Sequence, residues 1–461
     1  MFFICSLCIA CAFIVWKKHS MERSLLTELM SWKANAHRKP LVLYGARQVG
    51  KTWLLEEFGH RAFASVVRID FMRQAGLSQI FEPDLDPRRI VRELQLSVGM
   101  AIDPTNTLLI LDEIQEVPRA LTSLKYFCEE APEYHVAAAG SYMGIAQHEG
   151  ESYPVGKVSS FTLRPMSFLE FLDATGQSGL SQAIRARDFA TVSRVAPARV
   201  ERCLRDYLVI GGMPEVVRTY AQTLDHVEAR RVQEQILSDY DGDFGKHAPA
   251  RLLERMRMAW RSLPSQLARE NRRFVYGLVR EGARARDFAE SIQWLRDYGV
   301  VCKVPRVKAL RSPLSSYEDL SAFKLFAVDV GLLGALAHLP VASVLDESRL
   351  FTEFKGALTE QFAIQELLCA RHEPYYWTAE RATAEVDCAI DLGGEVVPIE
   401  VKAAENLRSK SLRVACDKFG LRKGVRTSLA AYRNDGWLTN IPLWGLSQLT
   451  KADLQGHDRP R

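Results

Sequence analysis

Gly45-Ala46-Arg47-Gln48-Val49-Gly50-Lys51-Thr52 is a run whose residue types and spacing suit the binding of a polyphosphate. Gly45 and Gly50 can take backbone angles closed to other residues. The loop can then aim consecutive N–H groups at phosphate oxygens, with a helix N-terminus behind them. In the pattern G-x-x-x-x-G-K-[ST] the lysine, here Lys51, reaches the outer phosphates and the hydroxyl, here Thr52, ligates Mg²⁺. The plainer reading is a glycine turn before a helix.

Two carboxylates supply what such a loop lacks. Thr107-Leu108-Leu109-Ile110-Leu111 is a continuous apolar run ending in Asp112-Glu113. Asp112 would hold Mg²⁺ through its water shell, and Glu113 would polarise the attacking water. Taken alone, the pair reads equally well as an acidic helix cap after a core strand. Tyr134-His135-Val136-Ala137-Ala138-Ala139 ends in Gly140-Ser141. Ser141 is placed to sense a γ-phosphate, or simply marks a strand-to-turn transition.

These residues require particular elements. Leu41-Val42-Leu43-Tyr44 before the loop reads as a strand, and Trp53 to Phe58 after it as a helix. Apolar runs without alternation suit strands buried on both faces of a parallel sheet. Ligands sit beyond the carboxyl ends of such strands.

A second set of chemistry lies near the C-terminus. Glu385-Val386-Asp387-Cys388-Ala389-Ile390-Asp391 alternates as a strand should, Gly393-Gly394 is a hairpin turn, and Glu395 to Lys402 returns. Residues two apart on a strand share a face, so Glu400 and Lys402 point the same way and Asp387 can face them. Glu360, on the preceding helical segment, closes the set. Three carboxylates and a lysine suit a hard-oxygen Mg²⁺ site that activates water at a phosphodiester. The alternative is a surface hairpin with ordinary alternating charge.

Composition frames the motifs. The 461 residues are 47% hydrophobic and 25% charged, enough for roughly three domains with ample core. A net charge of +4 is too small to indicate nucleic-acid binding by itself. The basic clusters Arg269–Arg273, Arg280–Arg286 and Lys402–Lys423 read first as solvated faces. Nine cysteines form neither metal-ligand spacing nor a secreted framework, as in a reducing cytoplasm. Residues 1–20 are apolar up to Trp16. They read as a leader ahead of a true start at Met21 or, alternatively, as a short membrane anchor.

From about 180 to 245 the chain reads as helices broken at Gly211-Gly212-Met213-Pro214. Phe288 to Leu295 has helical spacing, and Tyr298 to Val304 turns into a strand. A helix leading into a basic hairpin suits a winged-helix module; the plainer reading is a helical spacer.

Nearly the whole chain, from about Met21 to about Leu449, resembles the prokaryotic AAA-type ATPases that carry a C-terminal domain of unknown function related to PD-(D/E)xK nucleases. The resemblance rests on Gly45–Thr52, Leu111-Asp112-Glu113-Ile114-Gln115, Arg164-Pro165-Met166-Ser167-Phe168 and Gly211-Gly212-Met213-Pro214-Glu215. It continues through Phe323-Lys324-Leu325, Asp329-Val330-Gly331-Leu332-Leu333, Gly356–Glu360, Glu385-Val386-Asp387 and Ile399-Glu400-Val401-Lys402. It implies an α/β fold: a P-loop AAA-type ATPase core (21–175), a helical lid (176–245), a winged-helix module (246–345) and a restriction-endonuclease-like α/β domain (346–461). It also implies ATP and Mg²⁺ as ligands. Similar sequences have Gly-Arg where this one has Gly156-Lys157. If that arginine is a finger toward a neighbouring nucleotide, Lys157 keeps the charge and loses the planar fork.

The expectation is a slow, Mg²⁺-dependent ATPase controlling a nuclease-like domain, acting on DNA or a protein partner and assembling as a homo-oligomer. The alternative is a nucleotide-dependent switch whose nuclease-like site is inactive.

Overall fold

The computed structural model describes residues 21–140, 154–269, 272–345, 352–379, 384–403 and 409–454. Ser141 and the apolar segment 1–20 lie outside them. No helix among the described residues is long and apolar enough to cross a membrane.

Strands β1 (Leu41–Tyr44), β2 (Ser65–Asp70), β3 (Thr107–Asp112), β4 (His135–Gly140) and β5 (Ser159–Thr162) form one parallel sheet in the order β2-β3-β4-β1-β5. The two central strands β3 and β4 are buried at every residue, as their unbroken apolar runs require. All five strands run the same way, so Tyr44, Asp112 and Gly140 emerge on one edge. Helices cover both faces. Leu54, Leu55 and Phe58 of the helix Lys51–Ala62 pack on one side, and Leu121, Leu124 and Phe127 of the helix Pro118–Glu130 on the other.

Helices then follow from Phe168 to His247. The helix Pro197–Ile210 stops at Gly211, and Pro214 opens the next, Pro214–Thr223, where its missing N–H costs nothing. The long helix His226–His247 is capped by Asp225, whose carboxylate accepts from the Val227 and Glu228 N–H groups.

Short helices lead to the antiparallel pair β6 (Val301–Val307) and β7 (Glu318–Ala327). Rather than standing free as a wing, this hairpin is the edge of a larger sheet. β6 also pairs with β8 (Tyr375–Thr378) at Arg306 and Tyr376. With β9 (Glu385–Leu392), β10 (Glu395–Val401), β11 (Gly424–Ser428), β12 (Arg433–Asp435) and β13 (Leu438–Pro442), the order is β12-β13-β11-β10-β9-β8-β6-β7. The sheet therefore runs across the boundary expected at residue 345. The helix Thr352–Cys369 joins the core that holds Ile390, Val397 and Ile399; the helix Lys410–Phe419 packs with Val386 and Ala389.

Three of the sequence motifs prove to be one buried junction. The Met166 N–H donates to the Gly212 carbonyl at 2.6 Å, and the Gly212 N–H donates to Asp329 Oδ2 at 2.6 Å. Asp329 Oδ1 accepts from the Leu332 N–H, and Gln365 Nε2 reaches both Asp329 Oδ2 and the Tyr207 hydroxyl. A Cβ on Gly212 would lie 2.0 Å from the Met166 carbonyl oxygen, so the approach admits only glycine. One apolar core runs from Leu25 to Leu449 through this junction.

Candidate functional site

The phosphate-type loop leaves β1 and enters the helix Lys51–Ala62. Gly45 sits so close to β5 that a Cβ would be 2.4 Å from the Leu163 carbonyl oxygen. Gln48 and Gly50 take left-handed backbone angles of 64° and 88°, which curl the loop before the helix starts.

Lys51 is buried, and its ammonium donates to the Gly45 and Ala46 carbonyls at 3.0 and 2.8 Å. Burial pushes it down to about 8, against the opposing pull of Glu113 and Asp112. A bound polyphosphate favours the charged form. Binding must then draw a proton once the free lysine has lost its own, so affinity should hold near pH 7 and fall about tenfold per unit above pH 8. Calorimetry at pH 8.5–9.5 in two buffers of different ionisation enthalpy should show proton uptake; buffer-independent heats would count against it.

The Thr52 hydroxyl donates to Asp112 Oδ2 at 2.9 Å. These two hard oxygen groups, at the carboxyl edge of the sheet, fit a Mg²⁺ ion. Arg68 Nε also reaches Asp112 Oδ2, at 2.9 Å, and Arg68 pairs with Glu56 and Asp70. Burial pushes the Asp112 carboxyl up, while the Thr52 hydroxyl and Arg68 pull it down. Glu113 follows with a left-handed φ of 52°, a strained setting for a non-glycine residue that turns it out of the strand. Gln115 Nε2 donates to Glu113 Oε2 at 2.6 Å.

A cavity of about 400 Å³ opens beside the loop. Met21, Arg23, Trp53, Pro214, Glu215 and Arg218 line it together with the loop and Glu113. Arg47 pairs with Asp243 of the helix His226–His247 at 2.5 Å, and the Tyr298 hydroxyl donates to the same carboxylate at 2.8 Å. Gln48 Nε2 donates to Asp239, and the Tyr240 hydroxyl to the Arg47 carbonyl. Arg23 donates to the Val49 carbonyl at 3.0 Å. The loop thus meets the amino-terminal segment and the helix His226–His247, whose Asp243 also holds Tyr298.

The structure brings together Lys51, Thr52, Asp112 and Glu113. It sets Lys157 apart. Ser159 pairs with Leu41 at the amino end of β1, and Lys157 precedes it, ion-paired with Glu129 at 2.8 Å. The loop leaves the opposite end of β1. Sequence reasoning missed Arg68, Gln115, Asp239, Asp243 and Tyr298. Two of them left a signal: Arg68 is a charge inside the apolar strand Val66-Val67-Arg68-Ile69, and Gln115 closes the motif Leu111-Asp112-Glu113-Ile114-Gln115.

The C-terminal metal set is not assembled as expected. Glu360 pairs with Lys324 at 2.8 Å and with Arg272. Asp387 Oδ2 accepts the Val401 N–H at 2.8 Å, and Glu400 pairs with Lys402 at 2.8 Å. Among the described residues no group of three His, Cys, Asp or Glu side chains is arranged to hold a metal ion. The reason is partly electrostatic: side-chain cations already hold Glu360 and one oxygen of Glu400, and a backbone N–H holds Asp387.

Residues 37–172 match the family described as an AAA domain. Residues 201–343 and 355–444 match two domains of unknown function, DUF8612 and DUF4143. No curated protein matches the chain. Among solved structures, a Walker-type ATPase of Pyrococcus abyssi is 14% identical with a TM-score of 0.44, over 69% of this chain and 96% of that one. The Orc1 protein of Aeropyrum pernix, in complex with DNA, is 14% identical with a TM-score of 0.27, over 72% and 97%.

Proposed function

We propose that this chain, with its AAA domain at residues 37–172, binds ATP at Gly45–Thr52, hydrolyses it slowly, and uses loop occupancy to reset the lid and the sheet behind it. The observation that carries this reading is the loop's double engagement. Lys51, Thr52, Asp112 and Glu113 converge on one side, while Arg47 and Gln48 are tied to Asp243 and Asp239 of the lid on the other.

The loop N–H groups and the Lys51 ammonium hold the polyphosphate. Thr52 and Asp112 are the residues that would hold Mg²⁺, which neutralises charge on the phosphate oxygens when bound. Glu113 orients the attacking water and takes its proton on the carboxylate, with Gln115 fixing that carboxylate. Arg218, on the helix that lines the cavity, is in position to sense whether nucleotide is present.

Turnover is slow for a structural reason. Lys157 lies beyond the amino end of β1 and serves no phosphate on its own chain. A second copy would have to present it, and its ammonium lacks the arginine fork. The C-terminal domain favours the switch reading over nuclease control, because Lys324 and Arg272 of the preceding module already pair with its Glu360. The helix Ala285–Asp297 and the segment before it are the candidate nucleic-acid surface. Exposed Arg280, Arg284 and Arg286 make a DNA backbone the fitting partner.

The test is the ATPase rate per chain, measured across protein concentration with and without duplex DNA. The expected result is a rate that climbs with concentration, and a DNA affinity that falls steeply with salt and changes with nucleotide. A rate flat in concentration removes the role of Lys157 in a neighbouring copy. DNA affinity indifferent to nucleotide removes the switch.

A further inference from the structure

The C-terminal carboxylates raise a question of charge. Glu360, 1% exposed, sits on the helix Thr352–Cys369, while the half-buried Glu385 and Asp387 come from β9. Carboxylates cannot be taken out of water without a counter-charge. A metal ion is one way to supply it, and a side-chain cation is another.

Here the chain supplies it. Lys324 of β7 is fully buried, with its ammonium 2.8 Å from Glu360 Oε1, 2.6 Å from Glu385 Oε1 and 4.9 Å from the centre of the Tyr376 ring. Arg272 takes the other oxygen of Glu360. It lies against Gly356, one turn earlier on the same helix, where a Cβ would come within 2.8 Å of the guanidinium. Both oxygens of Glu360 are therefore occupied. Asp387 Oδ2 accepts the Val401 N–H at 2.8 Å beside them. Lys324 and Arg272 are held by Glu360 and Glu385, and together they bring the same charge as one divalent ion.

We propose that Lys324 and Arg272 are tethered cations that take the place of a divalent metal. They make the acidic cluster a metal-free ionic joint between the helix–hairpin module and the C-terminal domain. Both cations come from residues 246–345, and all three carboxylates come from the domain that follows. The cluster closes only when the two are docked. Lys402, the residue that would accompany a metal there, is engaged by Glu400 instead.

The test uses the full chain without nucleotide, so its result is independent of the ATP reading. Mn²⁺ titrated into the wild type and followed by electron paramagnetic resonance should reveal no bound ion that Glu360→Gln removes. Lys324→Ala should gain one bound Mn²⁺ per chain, and Lys324→Ala/Glu360→Gln should lose it again. The unfolding midpoint of Lys324→Ala in EDTA should drop by several degrees, because a broken buried pair leaves its partner uncompensated. Mn²⁺ should restore part of that loss. A Lys324→Ala chain that folds only with Mn²⁺ present shows the same gain, read as soluble yield. A Mn²⁺ ion in the wild type that depends on Glu360 overturns the proposal. So does Lys324→Ala protein that takes up no Mn²⁺, or that folds in neither buffer.

Discussion

Lys51→Ala should lower ATP turnover on the order of 10²–10³-fold, the scale for removing one preorganised charge or donor from a developing transition state. The variant should still fold. Lys51 makes its hydrogen bonds to loop carbonyls rather than to a carboxylate, and burial already disfavours its charge. The thermal midpoint without nucleotide should stay near wild type, while the upward shift that ATP gives the wild type should vanish. Glu113→Gln should behave differently. It keeps the hydrogen-bonding shape beside Gln115 but cannot take a proton, so ATP should still raise the midpoint while turnover falls about 10²–10⁴-fold. Differential scanning fluorimetry with single-turnover hydrolysis separates the two. Normal turnover in both variants would remove the loop from the chemistry.

The second large effect is structural and far from the phosphates. Gly212→Ala places a Cβ 2.0 Å from the Met166 carbonyl oxygen and 2.7 Å from its nitrogen, both backbone atoms that cannot step aside. Relief requires breaking the Met166–Gly212 hydrogen bond, the Gly212–Asp329 hydrogen bond, or both. Each buried polar group left unmatched costs about 1–3 kcal/mol, so the loss should exceed about 3 kcal/mol. That is a large share of the roughly 5–15 kcal/mol that holds a typical domain folded. Asp329→Ala strands the Gly212 and Leu332 N–H groups and should cost a similar amount. Because both changes act on the junction joined by the Gly212–Asp329 hydrogen bond, the double variant should lose less than the sum of the two singles. Denaturant unfolding of the three chains checks this; additive losses would mean the groups act separately.

Much of the phosphate side was legible because it is local. The apolar run at Leu41–Tyr44, the glycine spacing and the following helix are contiguous, and they form as read. The run ending in Asp112-Glu113 carried its own evidence of a doubly buried strand. The hairpin of β9 and β10 was equally plain, as was the shared direction of Glu400 and Lys402, which meet in an ion pair. What failed to show was distant. Lys324 lies 36 positions before Glu360 in the chain, and Arg272 lies 88 before it. A charge inside Phe323-Lys324-Leu325-Phe326 was the single trace of the joint. Alternation cannot say which carboxylate a buried ammonium will meet. The integration of β6 and β7 into the larger sheet was hidden likewise, since its link to β8 rests on pairing at Arg306 and Tyr376.

The loop's ties to the helix His226–His247 have a consequence during synthesis. Arg47 and its partner Asp243 are 196 positions apart. At about 5–20 residues per second, the loop leaves the ribosome roughly 10–40 s before the carboxylate that will hold it. Over that interval the nascent AAA core can fold and meet cellular ATP with Arg47 unrestrained. On the proposed function, nucleotide can then arrive before the helix that holds Arg47, and that helix must close over a loop that has had time to fill.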